Sequence, residues 1–229
     1  MTAGEGGAIA PSIITPLGDC AVTIQIGDHA DPVIARRVRA LAADIHAAAL
    51  APVRDVALGY AALTVWYDAL HTDYAAMVSA LEPIVAAAAT RLGAPATSAV
   101  TGREHVISVR YDGPDLEEVA QRTGLTTSDV VSRHSGRQYT VYFLGFVPGF
   151  AYLGELDSAL VLPRRTEPRP RVPAGAVAIA GAQTAIYPYA IPGGWHLIGR
   201  TAVNLFDPRR DPPATLAPGD RVRFVAVEE

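Results

Sequence analysis

Residues 139–154 read YTVYFLGFVPGFAYLG, and residues 163–201 read PRRTEPRPRVPAGAVAIAGAQTAIYPYAIPGGWHLIGRT. The first stretch opens with a β-prone run, 139–144. From there on the chain is dense in glycine and proline. Short β-prone runs recur at 177–180, 185–187, 195–198 and 202–206. Leu216-Ala217-Pro218-Gly219-Asp220 reads as a turn into a last strand, 221–227. Many short strands divided by Gly/Pro turns predict a barrel or sandwich with long functional loops.

Upstream, His105–Tyr111 reads as a strand. Two short helices follow at 115–123, after Gly113-Pro114, and at 127–134, with Gly124 between them. Residues 93–102 (GAPATSAVTG) are small and uncharged, a linker composition. Before them, 21–26 alternates like a strand, and Asp31-Pro32 caps a helix over 33–50. Two β-prone runs at 53–58 and 62–67 precede a helix from 74 to 92. The expected organisation is therefore a tail at 1–11, an α+β domain of split-βαβ character at 12–92, the linker at 93–102 and a β-barrel domain at 103–229.

Composition narrows the chemistry. The chain has 229 residues and its 19 basic residues are all arginine. With no lysine there is no Schiff-base lysine, no P-loop lysine and no biotinylated lysine on this chain. Any anion held by a side-chain cation is held by the planar fork of arginine. A net charge of −4 argues against a nucleic-acid module. Half of the residues are hydrophobic, which argues against disorder. Cys20 is alone, so no intrachain disulfide is possible, and the N-terminus lacks the basic region of a signal peptide. No apolar run reaches transmembrane length. These readings together predict a cytoplasmic protein.

The candidate chemistry clusters in the Gly/Pro-rich half. Arg164, Arg165, Arg169 and Arg171 lie within eight residues, stiffened by four prolines. In an extended chain Arg169 and Arg171 share a side, and Arg165 and Glu167 can pair. The cluster reads as a carboxylate or phosphate clamp, an interface patch or a solvated loop. Gln183 and Thr184 can read a lactam or urea-like group, beside Tyr187, or Gln183 can satisfy loop backbone. Gly193, Gly194 and Trp195 can offer backbone N–H groups beside an aromatic wall, or form a tight turn with the Trp in the core. Arg200 is a clamp or a structural ion pair. His134 is a general base or a helix-end charge. Phe146 and Phe150 belong to the same apolar loop surface. The histidines 29, 46, 71 and 105 share no metal-ligand spacing, so no metal site is expected.

These motifs resemble one family. Residues 139–154, the PRRxxPRxxVPxG pattern of 163–175, the IAGxQTxIYP pattern of 179–188 and the PGGWxxIGRT pattern of 192–201 are similar to the KipI / allophanate hydrolase subunit 1 family. Pro16-Leu17-Gly18-Asp19 and Pro218-Gly219-Asp220 also fit. The resemblance implies an α+β N-terminal domain followed by a cyclophilin-like β-barrel. It implies the B component of an ATP-dependent 5-oxoprolinase, which opens 5-oxo-L-proline to L-glutamate. Two partner proteins are implied with it, one related to allophanate hydrolase subunit 2 and one of the LamB/YcsF type. ATP with Mg²⁺ then acts at the level of the complex. Two other activities occur in the family: inhibition of a sensor histidine kinase, and the carboxyltransferase part of a biotin-dependent urea-type carboxylase. On the 5-oxoprolinase reading Arg169, Gln183, Tyr187, Arg200 and His134 are the expected catalytic residues. Arg164, Arg165, Thr184, Gly193, Gly194, Trp195, Phe146 and Phe150 are the expected substrate contacts. The chain departs from the family pattern at Ala57–Leu63, where a Pro and a Ser are missing.

Overall fold

The computed structural model describes residues 12–92 and 102–228. The expected tail and nearly all of the expected linker lie outside the described residues. Contacts divide the chain into two compact units, between residues 99 and 100.

The first unit runs β1 (Ile13–Pro16), β2 (Ala21–Gln25), α1 (Pro32–Ala48), β3 (Val53–Leu58), β4 (Ala62–Tyr67) and α2 (Tyr74–Leu92). Its sheet has the order β1-β2-β4-β3. Both β2 and β3 pair antiparallel with β4. They therefore run parallel to each other with α1 as their crossover, the split-βαβ arrangement. The Asp31 side chain accepts from the Val33 and Ile34 amides, and Pro32 sets the first turn of α1. Val38, Leu41 and Ile45 then recur on one face and pack with Val22, Ile24, Leu63, Val65, Met77 and Leu81. The strand β1 has no counterpart among the strands expected from sequence. Its four residues pair along β2.

The second unit runs β5 (Glu104–Val109), α3 (Leu116–Thr123), α4 (Thr127–Ser135), β6 (Gln138–Leu144), β7 (Ala151–Gly154), β8 (Arg169–Val172), β9 (Ala176–Ala180), β10 (Gln183–Ile186), β11 (Ile191–Gly193), β12 (His196–Arg200) and β13 (Arg221–Ala226). Seven strands form one sheet in the order β12-β9-β10-β7-β6-β13-β5. Only β13 and β5 pair in parallel. The two edges meet just beyond β5. Arg110 and Arg200 exchange a pair of backbone hydrogen bonds of 2.9 and 2.8 Å. The chain then continues along β12, with the Gly113 amide on the Ile198 carbonyl and the Asp115 amide on the Leu197 carbonyl. This seam nearly closes the sheet into a barrel and removes its free edges.

All seven strands feed one core that includes Val109, Tyr139, Val141, Leu153, Val177, Ile198 and Phe224, with Val119 and Val130 from the helices. The other face of β9 and β10 is covered as well. Ala178, Ala185 and Tyr187 there pack with Phe150, Val172 and Trp195. Burial on both faces explains why β9 reads as an unbroken apolar run.

The expected strand at 202–206 is not one. Thr201 Oγ1 accepts from the Val203 amide and Asn204 Oδ1 from the Phe206 amide, so local side chains satisfy that backbone. Only Phe206 makes a bridge, to Ala214. The strands β7, β8 and β11 lie outside the expected β-prone runs. Pro170 and Pro192 lie within β8 and β11, which pair only with each other. Proline is tolerated there because the ladder is two-stranded.

Candidate functional site

The seam places several charged groups together. A cleft of about 460 Å³ is lined by Asp112, Gly113, Pro114, Arg169, Arg171, Pro173, Leu197, Gly199 and Arg200 among others. Arg169 and Arg171 stand two apart on β8, on one side of the strand as expected. Three of the lining residues are cationic and one, Asp112, is anionic. The cleft therefore favours an anion.

Two glycines make this close approach of strands possible. A Cβ on Gly113 would lie 2.3 Å from the Leu197 carbonyl oxygen, and one on Gly199 would lie 2.6 Å from the Arg110 carbonyl oxygen. No side chain fits at either place.

The arginines are held from behind by acids that sequence reasoning missed. Asp115 is 3% exposed. Its Oδ1 accepts from Arg169 Nη2 at 2.5 Å and from Arg165 Nη1 at 3.2 Å, and its Oδ2 accepts from the Leu197 amide at 2.7 Å. Glu118 Oε2 accepts from Arg165 Nη1 at 2.7 Å. That bond holds the Glu118 carboxyl below the usual carboxylate range and raises the Arg165 guanidinium. The expected Arg165–Glu167 pair is thus replaced by Arg165 with Asp115 and Glu118. In sequence Asp115 reads as a helix start. In the structure it sits at the N-cap of α3 but makes no capping bond, because its oxygens serve the arginines and Leu197.

The four clustered arginines have different fates. Arg165 and Arg169 are partly enclosed and paired. The Arg164 guanidinium lies 6.0 Å from the Trp195 ring centroid. Arg171 is exposed and has no acidic partner among the described residues. Arg200 reaches Asp112 Oδ2 at 2.8 Å, and Arg110 reaches the same oxygen at 2.9 Å. Arg169 retains a buried nitrogen, Nη1, with no hydrogen-bond partner among the described residues. A buried orphan donor costs about 1–3 kcal/mol until an acceptor meets it.

The other expected site residues do not gather at this cleft. Tyr187 is buried, and Gly193 packs against its phenol so closely that a Cβ there would lie 2.2 Å from the oxygen. Burial raises the Tyr187 phenol above its ordinary range. Trp195 and Phe150 meet edge to face at 5.9 Å in the same core. Gly194 packs loosely near Pro168 and the Arg165 carbonyl. Gln183 starts β10, half-buried, opposite Ala180. Phe146 is 64% exposed and takes a φ of +70°, with the Val147 amide closing a tight turn on the Gly145 carbonyl. A left-handed non-glycine residue of this kind costs about 1–3 kcal/mol.

His134 lies in the barrel core, fully buried. Its ring stacks on Phe224 at 4.7 Å. The Thr184 hydroxyl donates to the Ala178 carbonyl at 3.0 Å, so it accepts from His134 Nε2–H at 2.8 Å. Nδ1 is then the acceptor for the Tyr111 hydroxyl at 2.7 Å. Both nitrogens are spent on structure, and burial lowers the ring to about 3, so it stays neutral. Thr184 is likewise a core hydroxyl. Among the described residues, no group of three or more His, Cys, Asp or Glu side chains could hold a metal ion. No helix among them is long and apolar enough to cross a membrane.

A nearly closed barrel with an arginine-lined seam, following an α+β unit, defines the class: the chain belongs to the carboxyltransferase domain family, subdomain C and D, whose profile matches residues 12–216. Within it the chain is 38% identical over 224 residues to the 5-oxoprolinase B subunit of Bacillus subtilis strain 168, covering 94% of this chain and 93% of that protein. It is 58% identical over 117 residues to the 5-oxoprolinase B subunit of Escherichia coli O157:H7, covering 51% of this chain and 54% of that protein. The crystal structure of a protein designated TTHA0988 matches with a TM-score of 0.78 at 41% identity, over 92% of this chain. The match spans 40% of that solved chain.

Proposed function

We propose that the chain is the B component of an ATP-dependent 5-oxoprolinase that converts 5-oxo-L-proline to L-glutamate. In this reading it acts with two partners, one like allophanate hydrolase subunit 2 and one of the LamB/YcsF type. The near full-length similarity to a protein named as that component carries the reading. The arginine-lined cleft is the structural feature that agrees with it, because the substrate has a carboxylate and its activation involves phosphate. The two units are then separate domains, the second a cyclophilin-like barrel, and the complex is cytoplasmic.

An unstrained lactam is a poor electrophile. ATP, when bound with Mg²⁺ in the complex, supplies the phosphoryl group that activates the amide oxygen. The lysine-free chain has no P-loop, yet arginine forks suit both carboxylate and phosphate oxygens. Arg169 and Arg200 hold and offset negative charge at the seam. Arg165 braces Asp115 through Oδ1, the same oxygen that Arg169 meets. Asp115 is already engaged with two guanidinium groups, so it anchors and does not serve as a base. Gln183, Tyr187, Gly193 and Trp195 shape the wall of the barrel rather than the cleft.

The test is to co-express this chain with both partners and follow glutamate release from 5-oxoproline with and without ATP. ATP-dependent release that disappears when this chain is omitted is the expected result. A complex that forms and releases no glutamate would exclude the assignment and favour the kinase-inhibitor or carboxyltransferase role.

A further inference from the structure

We propose that the seam cleft is a binding site on this chain for a single small oxyanion, a carboxylate or a phosphate, taken by Arg169 and Arg171, with Asp115 as the positioning residue. Four observations carry it. The cleft is lined by three arginines and one carboxylate, Asp112, which is already shared between Arg110 and Arg200. Arg171, exposed at its rim, meets no acid among the described residues. Arg169 is fixed by one nitrogen, Nη2, on Asp115, while its Nη1 is enclosed without an acceptor. Asp115 is itself fixed by the Leu197 amide, in a strand whose residues line the cleft.

These features amount to preorganisation. An arginine free to rotate loses side-chain entropy when it binds an anion. Arg169 has already lost it, because a buried carboxylate orients its fork. A carboxylate or phosphate oxygen drawn in against Arg169 would give Nη1 the acceptor that it lacks among the described residues. Arg171, two residues along the same strand, adds a second cation on the same side. Asp115 also keeps the site from becoming a bare cluster of like charges, which would repel itself before any ligand arrived. The seam glycines, Gly113 and Gly199, line the cleft as bare backbone, because a Cβ at either would press on a carbonyl.

The site stands on this geometry and not on the 5-oxoprolinase reading. Only the choice of one probe rests on that reading. The experiment is calorimetric titration of the full chain with two probes, inorganic phosphate and 5-oxoproline, in low and high salt. The expected result is one site per chain, weakened by salt. In Arg171→Ala, which removes an unpaired surface side chain and leaves the fold intact, the dissociation constant rises about tenfold or more, the scale of one charge-assisted contact. In Asp115→Asn the affinity falls while Arg171 is still present, the sign of a positioning role. The thermal midpoint of that variant separates lost positioning from lost folding. Binding of phosphate alone assigns the site to a phosphoryl group, and binding of 5-oxoproline alone assigns it to a carboxylate. Absence of binding by both probes, or binding unchanged in Arg171→Ala, overturns the proposal. If the site binds but the three-protein complex releases no glutamate, the site stands and the 5-oxoprolinase reading falls.

Discussion

The oxygens of Asp115 accept from two guanidinium groups and one backbone amide. His134, in the same unit, shows how opposite the fate of a polar residue can be. It resembles a catalytic base in the sequence because it stands at a helix end just before a strand. In the structure its ring is a polar plug in an apolar core, joined to Tyr111 and Thr184. Its pH behaviour follows from burial. Its folded value of about 3 lies below the ordinary 6.5. Between these values the unfolded chain takes up a proton that the folded chain refuses. The stabilisation is therefore complete above the ordinary value and is lost progressively as pH falls toward the folded one. At about pH 5 the loss is roughly 2 kcal/mol, at about 1.4 kcal/mol per pH unit. Urea unfolding of the wild type and of His134→Gln at pH 7 and pH 5 checks this. The variant should lose less stability on acidification, and parallel losses would refute the neutral-plug account.

At the scale of elements, the barrel depends on a narrow seam, the Arg110–Arg200 bridge and the two hydrogen bonds that follow it along β12. The sequence shows the strands flanking it, and β3, β4, β6 and β9 appear at or within a residue or two of their expected limits. It does not show that Arg110 meets Arg200, because ninety residues separate them and neither carries a pairing signal. The seam glycines were legible only as turn residues. Their role is steric: a methyl at position 113 would press on the Leu197 carbonyl, and one at 199 on the Arg110 carbonyl. Gly113→Ala and Gly199→Ala should each cost about 1–3 kcal/mol by overpacking, read as a lower urea midpoint with little change in slope. An unchanged midpoint in both would mean that the seam does not hold the barrel. The short strands β8 and β11 escaped the sequence reading for the opposite reason. They contain proline and form no part of the main sheet, so neither propensity nor alternation marks them.

At the scale of the whole molecule, each unit has cores of its own. The first is built from α1, α2 and the inner face of its sheet. The second is built from the seven barrel strands with α3 and α4, and from the aromatic cluster on the other face of β9 and β10. The fragment of residues 102–229 contains both edges of the seam. Expressed alone, it should unfold in one cooperative transition, monitored by the near-ultraviolet signal of Trp195. A fragment lacking fixed tertiary structure would show that the barrel needs the first unit to fold.

The sequence by itself determined the kind of element at most positions, the presence of a Gly/Pro-rich half of short strands, the exclusion of lysine chemistry and the family. Those properties are local, written in periodicity, turn residues and motif strings. The tertiary structure alone decided which arginines are free and which are spent. Arg165 and Arg169 depend on acids about fifty positions away, and Arg171 is left open because no acid among the described residues reaches it. Ion pairing and burial act through space, and the barrel seam is what brings distant charges within hydrogen-bond distance.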